Sequence, residues 1–269
     1  MIKLGVNSLL YKKFDFSVAV RHISEAGYDG LSLNAIKNNG EHLDLFRWRE
    51  QLDSLRRLAA DSGLELLAME VSHLSGEYLQ PAFEACAHCG IGIVNVGPGG
   101  RTGVEDDVKR SIEQLAKWSE KAAEYGLVLC AKAHQGHSIH NSETMMRALR
   151  EIDSPGFGVD FDPSHYYRAN EDPVEVLPRL LDRVRHVHIR DCNDRSQGGT
   201  IYDQTCGRGK IDLPALCRTL VQGGYDGPVD LEIIGSDGYP LEELVSVTRE
   251  NYFYLNRQFR GENAYEKIL

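Results

Sequence analysis

The chain has 269 residues with 42% hydrophobic side chains, enough for a sizeable core and an ordinary length for one α/β barrel. Its formal charge of -10 argues against nucleic acid as a partner, because phosphate binding needs clustered Lys and Arg. No run of about 18 apolar residues occurs, and the opening Met-Ile-Lys-Leu-Gly-Val reads as a strand without a signal-peptide pattern. A single cytoplasmic domain acting on a small molecule, with no membrane partner, is the expectation.

Ile2 to Val6 is a first strand, and Phe16 to Ala26 a helix with Val18, Val20 and Ile23 apolar. Leu31 to Leu33 is the second strand. Leu45, Trp48, Leu52, Leu55 and Leu58 keep helical spacing, so the second helix covers about 42 to 62 and ends at Gly63. Leu64 to Val71 is the third strand, with Glu70 and His73 at its end. A helix over Tyr78 to His88 leads to the fourth strand, Ile91 to Val96. Val108, Ile112, Leu115 and Ala122 mark a long fourth helix closed by Gly126. Cys86-Ala-His-Cys89 has zinc-like spacing but lies in a helical pattern without a second pair, so packed thiols are expected.

Four further apolar runs each end in polar or ionisable residues. Leu127 to Ala131 runs into Lys132 and His134, and Gly158 to Phe161 into Asp162 and His165. Arg185 to Ile189 runs into Arg190 and Asp191, and Pro228 to Leu231 into Glu232. Buried strands that become charged only at their carboxyl ends mark a parallel sheet with a site on that rim. Helices are expected near 142–152, 173–182 and 212–222, with the last beginning after Pro240. Strand and helix alternate eight times, which predicts a closed (β/α)8 TIM barrel over residues 1–258 and a polar tail over 259–269. The turn Gly27-Tyr-Asp-Gly30 recurs as Gly224-Tyr-Asp-Gly227, as repeated units would use it. The long loop from Cys192 to Ile211 is expected to be functional.

Asp162-Pro-Ser-His165, His186-Val-His188-Ile-Arg-Asp191, Gly207-Arg-Gly209-Lys-Ile-Asp212 and Leu231-Glu232-Ile occur in that order. In these motifs the chain resembles the sugar phosphate isomerase/epimerase superfamily, the xylose-isomerase-like TIM barrels. The resemblance implies one divalent ion (Mn²⁺, Co²⁺, Zn²⁺ or Mg²⁺) held by a Glu, an Asp, a His and a Glu from strands five to eight. By position the last three are Asp162, His188 and Glu232, and the first falls on Lys132. The implied activity is proton transfer beside the carbonyl of a keto-sugar or related polyol, with the metal stabilising an enediolate. Isomerase or epimerase is the first choice. A lyase on the same enolate logic is second: keto-inositol dehydration or 3-keto-glycoside elimination. An inactive sugar-binding barrel is third. Homo-oligomers are common among such barrels.

Lys132 opens three readings. His134 supplies the missing ligand and Lys132 acts as general acid or base, its pKa lowered by burial and the cation. Alternatively, the lysine charge replaces the metal charge, or the protein is inactive. The first is favoured, because three metal-binding groups stay in register. Lys132 and Glu232 are therefore the candidate catalytic pair. His165, His73, Arg190 and Arg195 are candidate substrate contacts. Glu70 is weighed as a buried partner of Lys132, Asp160 is read as a structural partner, and His137 and His140 as solvent-exposed.

Overall fold

The computed structural model describes residues 1–71, 73–195 and 199–261. Eight parallel strands close into a barrel in sequential order: β1 (Lys3–Asn7), β2 (Gly30–Asn34), β3 (Glu65–Val71), β4 (Ile93–Val96), β5 (Val128–Lys132), β6 (Phe157–Phe161), β7 (Val184–Ile189) and β8 (Pro228–Leu231). The helices among the described residues are α1 (Phe16–Ala26), α2 (Trp48–Asp61), α3 (Gly76–Cys89), α4 (Glu105–Glu124), α5 (Ser142–Glu151), α6 (Pro163–Arg168), α7 (Pro173–Leu180), α8 (Leu213–Gln222) and α9 (Leu241–Arg260). The expected (β/α)8 order is the observed one. The short α6 was not expected, although its signal is in the sequence. Asp162 accepts from the Ser164 N–H as N-cap, and Pro163 follows at the first helical position. α9 runs through Arg260, past the expected boundary at 258, and residues 262–269 lie outside the described residues.

The hydrophobic core fills the layer between strands and helices, where Leu4, Leu31, Leu33, Val94, Leu129, Val159, Val187 and Val229 are fully or almost fully buried. The inside of the barrel is different. Ser32, Asn95, Asp160, His186, His188 and Asp230 are buried there at 0–1% exposure, where bulky aliphatic side chains would be the usual filling. Register explains how they meet: Lys132 pairs with Asp160 on the next strand, Asp160 with His186, and His188 with Asp230. Gly5 makes room for them, since a Cβ there would lie 2.0 Å from Asp230 Oδ1. Buried polar groups at this density hold only if each is partnered.

Candidate active site

Asp160 organises the floor. Its Oδ1 accepts from His186 Nδ1 at 3.0 Å and its Oδ2 from His188 Nδ1 at 2.7 Å. Asp230 accepts from His186 Nε2 at 3.1 Å and from the Ser32 hydroxyl. Burial would push the His186 imidazole down, but its hydrogen bonds to Asp160 and Asp230 outweigh this and lift it to about 9. Burial also opposes the charge on His188, yet Asp160 and Glu232 hold that imidazole well above its ordinary value. His188 Nε2 is buried without a hydrogen bond, 3.3 Å from Glu70 Oε1, which itself accepts from the Asn95 amide at 2.7 Å.

Above this floor the Lys132 amine donates to Glu232 Oε2 at 2.8 Å, and lies 3.6 Å from Asp160 and 3.8 Å from Asp162. The first sequence reading expected a lowered lysine pKa. The direction is the opposite: burial does press the ammonium down, but Glu232, Asp160, Asp162 and Glu70 together outweigh it and hold it above the usual lysine range. Glu70 thus adds to the field on Lys132 while its contacts are to His188 and Asn95. Glu232 Oε1 accepts from the Asn7 amide at 3.2 Å. Burial would raise the Glu232 carboxyl, but His188, Lys132 and Arg190 keep it well below the usual range.

Arg190 is buried, with no ion pair to the neighbouring Asp191. It donates to Asp162 Oδ2 at 3.0 Å and to the Ser164 hydroxyl at 2.8 Å, and its Nη1 lies 3.6 Å from Glu232 Oε2. Asp162 Oδ1 accepts from the Ser164 N–H and hydroxyl at 2.9 and 2.6 Å, so both carboxylate oxygens are engaged. Asp191 instead grips the long loop, accepting from the backbone N–H groups of Cys192, Gly207 and Ile211. Gly209 lets that loop approach, since a Cβ would meet Asp191 Oδ1 at 2.1 Å.

A cavity of about 340 Å³ opens over these groups, lined by Glu70, Asn95, Lys132, Asp160, Arg190 and Glu232 and by the histidine side described next. His134 is stacked on His137 and packs at a tilt on His165, with ring centroids 4.3 and 4.2 Å apart. Its Nδ1–H donates to the Gln135 carbonyl, and burial, His137 and Lys132 lower it to about 4, so Nε2 is unprotonated at neutral pH. His165 Nδ1 accepts from the Gln135 N–H at 3.0 Å, and its ring lines the cavity. His137 also lines it, with a buried Nδ1 lacking a hydrogen bond, which corrects the solvent-exposed reading. His73 and Arg195 are not among the lining residues. His73 packs on Tyr78 beside a separate groove, and Arg195 lies over the Tyr167 ring and donates to Asn170.

The profile of the xylose isomerase-like TIM barrel family matches residues 20–252. The chain belongs to that family. Within it, the chain is 23% identical over 141 residues to the inosose dehydratase of Lacticaseibacillus casei, covering 48% of this chain and 47% of that one. It is 31% identical over 131 residues to the inosose dehydratase of Bacillus velezensis, covering 44% of each. The chain thus spans about half the length of the curated relatives it matches. Among solved structures, the IolI protein with a bound zinc atom superposes with TM-score 0.80 at 18% identity, over 97% of this chain and all of that one. D-psicose 3-epimerase of Clostridium cellulolyticum H10 superposes with TM-score 0.76 at 14% identity, over 96% and 99% of the two chains.

The divalent ion implied by the xylose isomerase-like resemblance can be tested against the donors present. Among the described residues, the ligand atoms of Glu70, His186 and His188 lie within 4.8 Å of one another, a His/Glu cluster of the size a metal ion needs. However, both His186 nitrogens are engaged by carboxylates, and a ring lifted to about 9 is protonated at neutral pH and offers no lone pair. Asp162, His188, Glu232 and His134 form no such cluster: Asp162 is spent on Arg190 and the α6 cap, and His188 faces Glu70. At the fifth-strand position, the charge facing the carboxylates is the Lys132 ammonium. Four cationic groups, Lys132, Arg190 and the His186 and His188 rings, already stand among the five buried acids Glu70, Asp160, Asp162, Asp230 and Glu232, so the side chains as arranged do not fit a further dication.

Proposed function

We propose that the protein is a dehydratase of small keto-polyols, removing water by proton abstraction beside a ketone. The observation that carries this is the 2.8 Å hydrogen bond between Lys132 and Glu232 at the base of the cavity. Two groups joined in this way act from one face of a substrate. Isomerase or epimerase is the first choice from sequence; of the two, epimerisation needs an acid and a base on opposite faces of one carbon. Loss of water from one face of two adjacent carbons is served by the two held together.

Glu232 takes the proton from the carbon next to the carbonyl. Arg190, whose Nη1 lies 3.6 Å from Glu232, meets the enolate oxygen. The electron pair expels the hydroxyl from the next carbon, and Lys132 donates a proton to it as it leaves as water. Protonation of Glu232 removes the charge that holds the ammonium, so the lysine gives up its proton most readily at that moment. The proton on Glu232 then crosses the hydrogen bond to Lys132, and the site is restored without a redox partner. The partial similarity to inosose dehydratases supports a cyclic keto-polyol as substrate.

The test is incubation with 2-keto-myo-inositol in D₂O, followed by mass spectrometry. A product lighter by one water, absent with Lys132→Met, supports dehydration. Deuterium in a product of unchanged formula supports epimerisation instead. If this neutral ketone and anionic keto-sugars such as D-fructuronate are all left unaltered in both respects, the reading is refuted.

A further inference from the structure

Arg190 has its carboxylate; a second arginine on the same cavity does not. Arg168, at the C-terminal end of α6, lines the cavity. Among the described residues no carboxylate lies within ion-pair distance of it, and its Nε is buried without a hydrogen bond. Its backbone is fixed, because the Gln135 amide donates to its carbonyl at 2.8 Å. Burial pushes its guanidinium down, and the like charge of Arg190 adds to this, with Asp162 opposing. The lining of the same cavity includes His137, whose Nδ1 is buried without a hydrogen bond; Gly97 leaves room for that ring, since a Cβ would lie 3.2 Å from it. A half-buried guanidinium beside another, with an imidazole near by, is an arrangement completed by an anion. The acids of the site pair elsewhere: Asp162 with Arg190, and Glu232 with Lys132.

We propose that the substrate carries an anionic group, a phosphate monoester or a carboxylate, and that Arg168 receives it at the cavity wall while the ketone faces Lys132 and Glu232. This rests on the keto-polyol reading for the rest of the ligand, and it adds a substrate class to it.

The experiment is isothermal titration of the full chain with D-fructose, D-fructose 6-phosphate, D-fructuronate and inorganic phosphate. The expected result is an affinity for one or both anionic sugars about 10–100-fold above that for D-fructose, the worth of a hydrogen bond to a charged group. The phosphate and carboxylate arms tell the two sources apart. Arg168→Gln brings the anionic sugars down to the D-fructose affinity, and Arg168→Lys recovers part of the difference. Anionic sugars that bind, but no more tightly than D-fructose, or a preference that survives Arg168→Gln in a folded variant, overturn the proposal. Failure of every probe to bind overturns it too. If inorganic phosphate binds through Arg168 and no sugar does, the anion subsite stands and the keto-polyol reading falls.

Discussion

Replacing Lys132 by glutamate puts a second carboxylate against Glu232, where an amine now donates at 2.8 Å. A pair of unit charges about 4 Å apart interacts by about 4 kcal/mol at an effective dielectric of 20, so attraction becomes repulsion of that order. The K132E variant therefore needs a cation to fill the gap, and the new carboxylate and Glu232 are there to hold one, joined by His188 Nε2, 3.8 Å from Glu232 Oε1, once the ion displaces the proton of that ring. At 100 times its dissociation constant a bound ion stabilises a fold by about 2.7 kcal/mol. For a chain of this size that raises Tm by about 5–10 °C. The assay is thermal denaturation in EDTA and in excess Mn²⁺. The wild type is expected to melt at the same temperature in both, K132E to melt lower in EDTA and to recover with Mn²⁺, and K132Q to show no metal response. A wild type stabilised by Mn²⁺ to the same extent, or a folded K132E indifferent to it, refutes the reasoning.

Three other outcomes follow from the geometry. The His186 imidazolium, at about 9 against an ordinary 6.5, binds its proton more tightly in the fold than unfolded. Its contribution of about 3 kcal/mol is complete below pH 6.5 and lost as pH rises through 9; melts across that range check it, and H186Q flattens the decline. Arg190→Met strands Asp162 Oδ2 beside the Glu232 carboxylate and costs about 3–5 kcal/mol in denaturant unfolding, as breaking a buried pair does. Gly5→Ala drives a methyl to within 2.0 Å of Asp230 Oδ1 and is expected to cost about 1–3 kcal/mol or more by the same measurement.

The barrel was legible because parallel strands buried on both faces write themselves as short apolar runs, and the rim appears where those runs turn charged. Lys132 and Glu232 stand where such runs end; His188, inside its run, was singled out by the resemblance to the xylose-isomerase-like barrels. Glu70 was weakly read, though an acid directly after the apolar run from Leu66 to Met69 was a signal of the same kind. The partner of Arg190 was not legible: Asp191 is adjacent in sequence, but it faces the loop backbone, while Asp162 comes from the neighbouring strand. His137 read as a loop residue because stacking on His134 depends on the turn between them. The direction of the Lys132 shift also escaped the sequence. Burial and neighbouring charge act in opposite senses, and only the distances to Glu232, Asp160 and Asp162 decide between them.

The central claim is that a lysine ammonium supplies the positive charge around which the acids of this barrel are arranged. Elemental analysis of wild-type protein, purified without chelator and dialysed against metal-free buffer, tests it most directly. The account expects less than about a tenth of an equivalent of Mn, Co, Zn or Mg, since a lysine leaves no complete ligand set. One tightly held equivalent, released only by a chelator, would contradict it.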